Sequence, residues 1–432
     1  MSSQEMSAMV AQTKTTASVI AMCGFMILFD GYDLVVYGVI APALLKQAEW
    51  ALDPSLVGRA AALTLFGMLL GAAIAGTLAD RIGRKKVVLG SLASFSFMMI
   101  ASGLAPNFPV FAATRFLSGL GLGALLPTVT ALILEFSPAK RKALANSLSF
   151  MGYLLGGILS GILGMLLLEH YGWRPLMIIG GAPLLALPFL IKSLPESPDW
   201  LAAKGRRAEA DAVCDSFSLE RVPHQPTTSE KQGVRALFAE GRLALTLNAW
   251  AIHFCSLLLT FGMVNWLPTI MNKMGYDISS ALLFAIMLNV GAAIGIVIAG
   301  RIADRGHVKM TVAVLFAIGA GAIYMLTLKQ GVFMYALVAL AGAGTIGTQI
   351  LSNVLVGRFY PVQIRGTGLG FSLAVGRLGG MAGPLIGGAV LQRGLAPEWN
   401  FYIFAIAAVV GCALTALTFL HGTTEKGDVV VH

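Results

Sequence analysis

Asp30 and Asp33 stand three residues apart in Phe29-Asp-Gly-Tyr-Asp-Leu-Val-Val-Tyr-Gly38, within a long, mainly apolar run. In a helix Asp30, Asp33 and Tyr37 fall at i, i+3 and i+7 and share a face, with Tyr32 beside them. A carboxyl at the centre of an apolar spanning helix costs on the order of 3 kcal/mol. Such a group suits one of two kinds of chemistry. It can take up and release a proton, because desolvation favours its neutral form and a nearby cation its charged form. Or it can stay in a permanent buried ion pair. Two arginines supply cations: Arg115 lies about 10 Å inside its own apolar run, and Arg377 about 18 Å along its run from Arg365, near mid-depth. A guanidinium grips a carboxylate through two parallel hydrogen bonds that lysine cannot copy. Arg115 is therefore expected to pair with Asp33. Arg377 is expected either to hold an anionic substrate or to pair within the protein.

The second half of the chain offers uncharged partners. Asn265 stands beside Trp266, Asn289 lies in the next apolar run, and Gln349 and Asn353, four residues apart, share a helical face. Phe29, Tyr32, Phe254 and Trp266 could line a flat apolar site, or they could serve packing and the membrane interface. His253 is expected to be a satisfied packing residue, with a proton role as the alternative.

Long apolar helices must position these groups. The chain has 432 residues, 57% hydrophobic and 12% charged, where soluble domains carry about 25% charged residues, so a soluble core could not hide its apolar surface. A span of about 20 apolar residues crosses a hydrocarbon core of about 30 Å. Twelve such spans are expected near 17–45, 57–79, 87–105, 109–134, 142–168, 174–193, 242–270, 279–300, 310–328, 332–357, 365–391 and 399–420, giving an all-α integral membrane fold. The first run lacks a small-residue cleavage site and carries two aspartates, so it is expected to remain as the first span.

Of the 30 Lys and Arg residues, 22 fall on one side of these spans and 6 on the other. By the positive-inside rule both termini and the long central loop are expected in the cytoplasm. The net charge of +9 lies in short loops, with no basic domain to grip nucleic acid. Cys23, Cys214, Cys255 and Cys412 lack metal-ligand spacing, so neither disulfide nor metal site is expected. The run Gly342-Ala-Gly-Thr-Ile-Gly347 fits a dinucleotide fingerprint, but no strand precedes it, and no cofactor is expected.

The one long polar stretch, 194–241, is expected to link an N-terminal bundle of six helices, 1–193, to a second bundle, 242–432. Leu-Ala-Asp-Arg at 78–81 repeats as Ile-Ala-Asp-Arg at 302–305, an offset of 224, while Pro138, Lys142 and Ser149 repeat as Pro361, Arg365 and Ser372 at 223. Two loops repeating at nearly one spacing point to a duplicated unit, the plan of transporters whose site lies between halves. Asp80, Arg84, Glu135, Asp304, Arg305 and Arg365 cluster at the loops on the basic side. They are expected to form pairs that hold that side shut, with Glu135 as partner of Arg84, or simply to fix topology.

Gly76-Thr-Leu-Ala-Asp-Arg-Ile-Gly-Arg-Lys-Lys86 and its shorter copy Gly300-Arg-Ile-Ala-Asp-Arg305 resemble the signature loop of the major facilitator superfamily. Within it, Asp30-Gly-Tyr-Asp33 resembles the Asp-Gly-X-Asp motif of the aromatic acid:proton symporters, and the longer run through Gly38 looks like their benzoate-type branch. Arg115, Glu135, Pro195-Glu-Ser-Pro-Asp-Trp-Leu201, Arg365 and Arg377 extend the resemblance over the whole chain, although Pro195–Leu201 also resembles sugar porters. The second loop departs from the pattern, with Val308 and Met310 in place of Arg84 and Lys86. The resemblance implies uptake of benzoate, a hydroxybenzoate or a related ring acid with protons across a bacterial cytoplasmic membrane by a monomer. The two helix 1 aspartates are then needed for transport. Together with Tyr32, Tyr37, Arg115, Asn265, Trp266, Asn353 and Arg377, they are the residues expected from the reading above to surround substrate or proton. Efflux or uptake of another organic acid or drug-like compound uses the same fold. An enzyme would need a convergent nucleophile, metal or acid–base set, and the sequence shows none.

Overall fold

A computed structural model describes residues 3–137, 142–221, 234–239, 241–328 and 331–421, with the backbone alone for 3–15 and at a few helical positions near chain breaks. Pro138, named above in the repeated loop, lies outside the described residues, as do 222–233 of the linker.

The described chain is helical. In the first half the spans are α1 (Ser3–Leu45), α2 (Pro54–Ile82), α3 (Arg84–Gly103), α4 (Phe108–Glu135), α5 (Lys142–Tyr171) and α6 (Arg174–Ser193). Two short helices of the linker follow, α7 (Pro198–Ala203) and α8 (Arg207–Phe217). The second half has α9 (Leu243–Lys273), α10 (Ile278–Ile302), α11 (Val308–Met325), α12 (Phe333–Gly357), α13 (Val362–Gln392) and α14 (Glu398–His421). Side-chain oxygens start several of them by taking an orphan backbone N–H: Asp53 from Leu56 at 2.7 Å, Asn107 from Val110 at 3.0 Å and Asp277 from Ser280 at 3.0 Å.

Among the described residues eleven continuous helices are long and apolar enough to cross a membrane. One of them, Ile278–Leu328, has 51 residues, about 76 Å of helix and enough for two crossings. It is kinked at Gly306, whose φ of 93° and ψ of −4° leave the helical region, so α10 and α11 are separate legs and the legs number twelve. Large apolar side chains such as Leu155, Phe189, Ile294 and Ile406 point outward while Asp30, Asp33 and Arg115 are buried, the reverse of a soluble protein.

The chain forms two compact units, Met1–Leu52 with Ala60–Thr227 and Asp53–Arg59 with Thr228–His432. The linker is no separate body: α7 and α8 belong to the first unit, and the opening turns of α2 belong to the second. There Gly58 and Gly388 lie against the carbonyls of Pro384 and Pro54, where a Cβ would collide, and Asp53 accepts from Gln392 at 3.3 Å.

Both units cross their first and fifth helices through glycine. In the first, Gly152 and Gly156 of α5 lie on the carbonyls of Gly24 and Leu28 of α1; in the second, Gly379 of α13 lies on the carbonyl of Phe254 of α9. Small residues let backbones approach this closely in lipid. Burial repeats as well. Val87, Val88, Ser91, Leu92, Phe95, Ser96 and Met99 of α3 are buried, as are Thr311, Val312, Leu315, Phe316, Gly319, Ala320 and Ile323 of α11, each 224 residues later. In α12 the fingerprint-like run forms a π-helical turn, Ala343–Gly347, with Gly342 against the Leu288 carbonyl and Gly344 against Gly319. Its glycines therefore serve helix packing.

Candidate functional site

The first unit holds a buried charged group. Asp30 and Asp33 are fully buried on α1, and Arg115 of α4 is 1% exposed. Arg115 takes Asp33 in the fork expected of a guanidinium, Nη1 donating to Oδ1 and Nη2 to Oδ2 at 3.2 Å. Its Nη1 also meets the Met99 sulfur at 3.1 Å, and its Cζ lies 5.6 Å from the Tyr37 ring centroid, within cation–π range. Tyr37 in turn stacks on Phe111 at 6.3 Å. Gly31, between the two aspartates, leaves room for the Tyr153 backbone of α5, and the Tyr153 phenol lies within electrostatic reach of both carboxylates. Tyr32 faces elsewhere: its hydroxyl donates to the Leu176 carbonyl of α6 at 2.8 Å.

The second unit carries amides and a half-buried Arg377. Asn265 is buried and donates Nδ2 to the Phe261 carbonyl at 2.7 Å; Trp266, 1% exposed, donates Nε1 to the Pro384 carbonyl at 2.9 Å. The Trp266 indole is pressed against Gly387 and Gly388, so packing occupies the ring that the sequence offered as a site wall. Asn353 is half-buried with its Oδ1 3.0 Å from His253 Nε2. Asn289 donates to the Ala285 carbonyl at 3.0 Å, and its Oδ1 has no hydrogen-bond partner among the described residues.

At the signature loop Arg84 pairs with Glu135. The loop and the linker are tied together by residues whose positions the sequence did not reveal. Glu196 accepts from the Lys85 amide at 2.9 Å, the Ser197 hydroxyl donates to Glu135, and the Trp200 indole donates to the Asp80 carbonyl at 3.0 Å. Gly83, with φ of 101°, makes room for the Glu196 carboxylate. Ser197 also caps α7 through the Trp200 amide at 3.1 Å, and the Ser-Pro-Asp capping pattern was the one local sign that this run makes a helix start. Farther along, a hydrogen bond from exposed Arg206 holds the Glu209 carboxyl below its usual range. In the second copy Asp304, Arg305 and Arg365 are exposed, and Arg365 Nε reaches the Tyr360 carbonyl at 3.4 Å. Among the described residues no cluster of His, Cys, Asp and Glu could hold a metal ion.

The geometry of two related six-helix halves with signature loops is shared with known proteins. The profile of the Major Facilitator Superfamily matches residues 23–331 and, overlapping, 288–429. The chain belongs to the Major Facilitator Superfamily. It is 37% identical over 412 residues to a benzoate transport protein of Acinetobacter baylyi, covering 91% of this chain and 87% of that one. It is 34% identical over 403 residues to a gallate transporter of Pseudomonas putida, covering 90% and 89%. The partially occluded, inward-open xylose transporter XylE from E. coli shares the fold with a TM-score of 0.73 at 19% identity, over 96% of this chain and 100% of that one. The chain is thus a multi-pass membrane transporter and not an enzyme.

Proposed function

We propose that this transporter carries an aromatic carboxylate, of the benzoate or hydroxybenzoate type, into the cell with protons by alternating access. The observation that carries the reading is the group of Asp30, Asp33 and Arg115, two fully buried carboxylates and one guanidinium on apolar helices. A permanent structural pair needs one carboxylate; the second invites a changing charge. With two carboxylates and one guanidinium in the group, we assign the travelling proton to this carboxylate pair and test Asp30 first. The names of the relatives, a benzoate and a gallate carrier, support a ring acid as the cargo. Arg377, half-buried at mid-depth, receives the carboxylate, with Asn265 and Asn353 on the same unit.

Proton coupling suits an anionic cargo. Entry into an inside-negative cell costs an anion about 2.3 kcal/mol per 100 mV; one proton cancels this, and a second turns the potential into a driving force. In this reading the signature loops and both termini face the cytoplasm of a bacterium and the protein acts as a monomer. Arg84–Glu135, with Glu196, Ser197 and Trp200 behind it, is a tie that must loosen when that side opens.

The test is uptake of labelled benzoate and 4-hydroxybenzoate into proteoliposomes under an imposed inward proton gradient. The native chain should accumulate at least one acid, and Asp30→Asn should reduce accumulation to background. A folded native protein that accumulates neither would point to efflux or to another organic acid.

A further inference from the structure

His253 is the one histidine among the described residues that is fully buried in a spanning helix, and the symport reading leaves it without a task. Both of its ring nitrogens face oxygen. Nδ1 lies 3.4 Å from the Ala249 carbonyl, one turn back on α9, and Nε2 lies 3.0 Å from Asn353 Oδ1 on α12. A neutral imidazole has one N–H and can donate to only one of these; an imidazolium donates to both. The Ala249 carbonyl is fixed by the helix, whereas the Asn353 carboxamide carries an acceptor at one end and a donor at the other. Turned over, it presents Nδ2 to a bare Nε2 and keeps the hydrogen bond with the neutral ring. We infer that His253 and Asn353 form a proton-binding pair in the second unit, whose carboxamide turns over as the imidazole gains or loses its proton.

Access and surroundings fit this role. His253 is sealed, whereas Asn353 and Gln349, one turn apart on α12, are half-buried, so the Asn353 side of the pair is the more open one. Against the other side of His253 lies Gly376 of α13, where a Cβ would come within 3.0 Å of the histidine Cβ, and Arg377 follows directly. The charged groups on the helices packed against α9 are Arg377 and, nearer the start of α13, Arg365; Arg358, just past the end of α12; Arg301 on α10; and Glu398, at the far start of α14. On α9 itself Arg242 and Lys273 stand at the two ends, about 16 and 30 Å away along the helix. Arg377 is therefore the charge nearest in sequence to the contact, and an anion neutralising it would ease protonation of the imidazole. Loaded together with Asp30, the pair would bring two protons with one anion.

The test needs no substrate, so it stands apart from the symport reading. The full chain, labelled with 15N-histidine and held in lipid nanodiscs, is titrated by NMR from pH 8 to pH 5. One of the six histidine signals should pass from neutral imidazole to imidazolium, be missing in His253→Gln, and move its midpoint down by about one unit or more in Asn353→Leu, which removes the acceptor of the charged form. Asn353→Leu keeps the histidine and identifies its signal should His253→Gln fail to fold. A His253 signal that stays neutral to pH 5, or a midpoint indifferent to Asn353→Leu, overturns the proposal.

Discussion

The two units make the same helix crossing and put different chemistry on it. Two residues beyond the Leu28 carbonyl, where Gly156 touches α1, stands Asp30; two residues beyond the Phe254 carbonyl, where Gly379 touches α9, stands Ser256. Asp33 corresponds in the same way to Leu259. A buried pair of carboxylates in one unit is thus a buried hydroxyl and a leucine in the other. The signature ends diverge likewise. Arg84 and Glu135 are ion-paired in the first unit, while the positions 224 and 223 residues later are Val308 and Arg358. Near that end of the second unit Leu237, Ala249, Val356, Tyr360 and Ile364 form an apolar core. Duplication kept the helix contacts and left polar chemistry free to diverge: buried carboxylates and an ion-paired loop stand in the first unit, amides, a buried histidine and a half-buried Arg377 in the second.

The largest effect should come from breaking the charged side of the comparison. Arg115→Leu strands Asp33 in an apolar interior and should destabilise the protein by about 3–5 kcal/mol, read as a lowered unfolding midpoint in detergent. Ser256→Ala, at the corresponding crossing, should leave the midpoint nearly unchanged. A mild Arg115→Leu would mean that water or another group compensates Asp33, and the contrast between the units would fade.

Next come the features the units share. Gly156→Ala and Gly379→Ala each drive a methyl group into a carbonyl of the partner helix and should each cost about 1–3 kcal/mol, measured in the same unfolding assay. Unequal costs would mean that only one crossing is rigid.

The smallest change should be at the signature ends. Val308→Arg with Arg358→Glu transplants the first unit's pair into the second. The first unit's own pair is partly exposed, so Arg84→Ala should cost about 1 kcal/mol or less. The double variant should slow transport by a few-fold, and Arg84→Ala should leave the transport rate unchanged or raise it, both read in proteoliposomes. Equal transport rates in the transplanted and native proteins would make these charges topology markers alone.

Much of this was legible in the chain. Twelve legs followed from apolar length, the pairing of Arg115 with Asp33 from the scarcity of charge within the spans, and that of Arg84 with Glu135 from their shared place at the loops on one side. What stayed hidden was contact between residues far apart and individually ordinary. His253 and Asn353 are 100 residues apart, and either alone reads as packing. Glu196 and Trp200 look like members of a solvated linker until the signature loop is seen against them. Trp266 beside Asn265 suggested an aromatic wall because sequence cannot tell which face of α9 meets α13. The sixth span, uniform in hydropathy, is interrupted at Gly180-Gly181-Ala182 by short-range hydrogen bonds, since Pro183 cannot continue the regular ladder.

The Asp33–Arg115 pair also bears on how the protein enters its membrane. Its two members are 82 residues apart, and at roughly 5–20 residues per second the ribosome needs about 4–16 s to make the second after the first. During that interval α1 carries two carboxylates without the guanidinium of α4, and each disfavours release into lipid by about 2.5–3.5 kcal/mol. The first helix is thus best retained at the insertion machinery until the fourth has emerged, so that α1 and α4 leave it as partners.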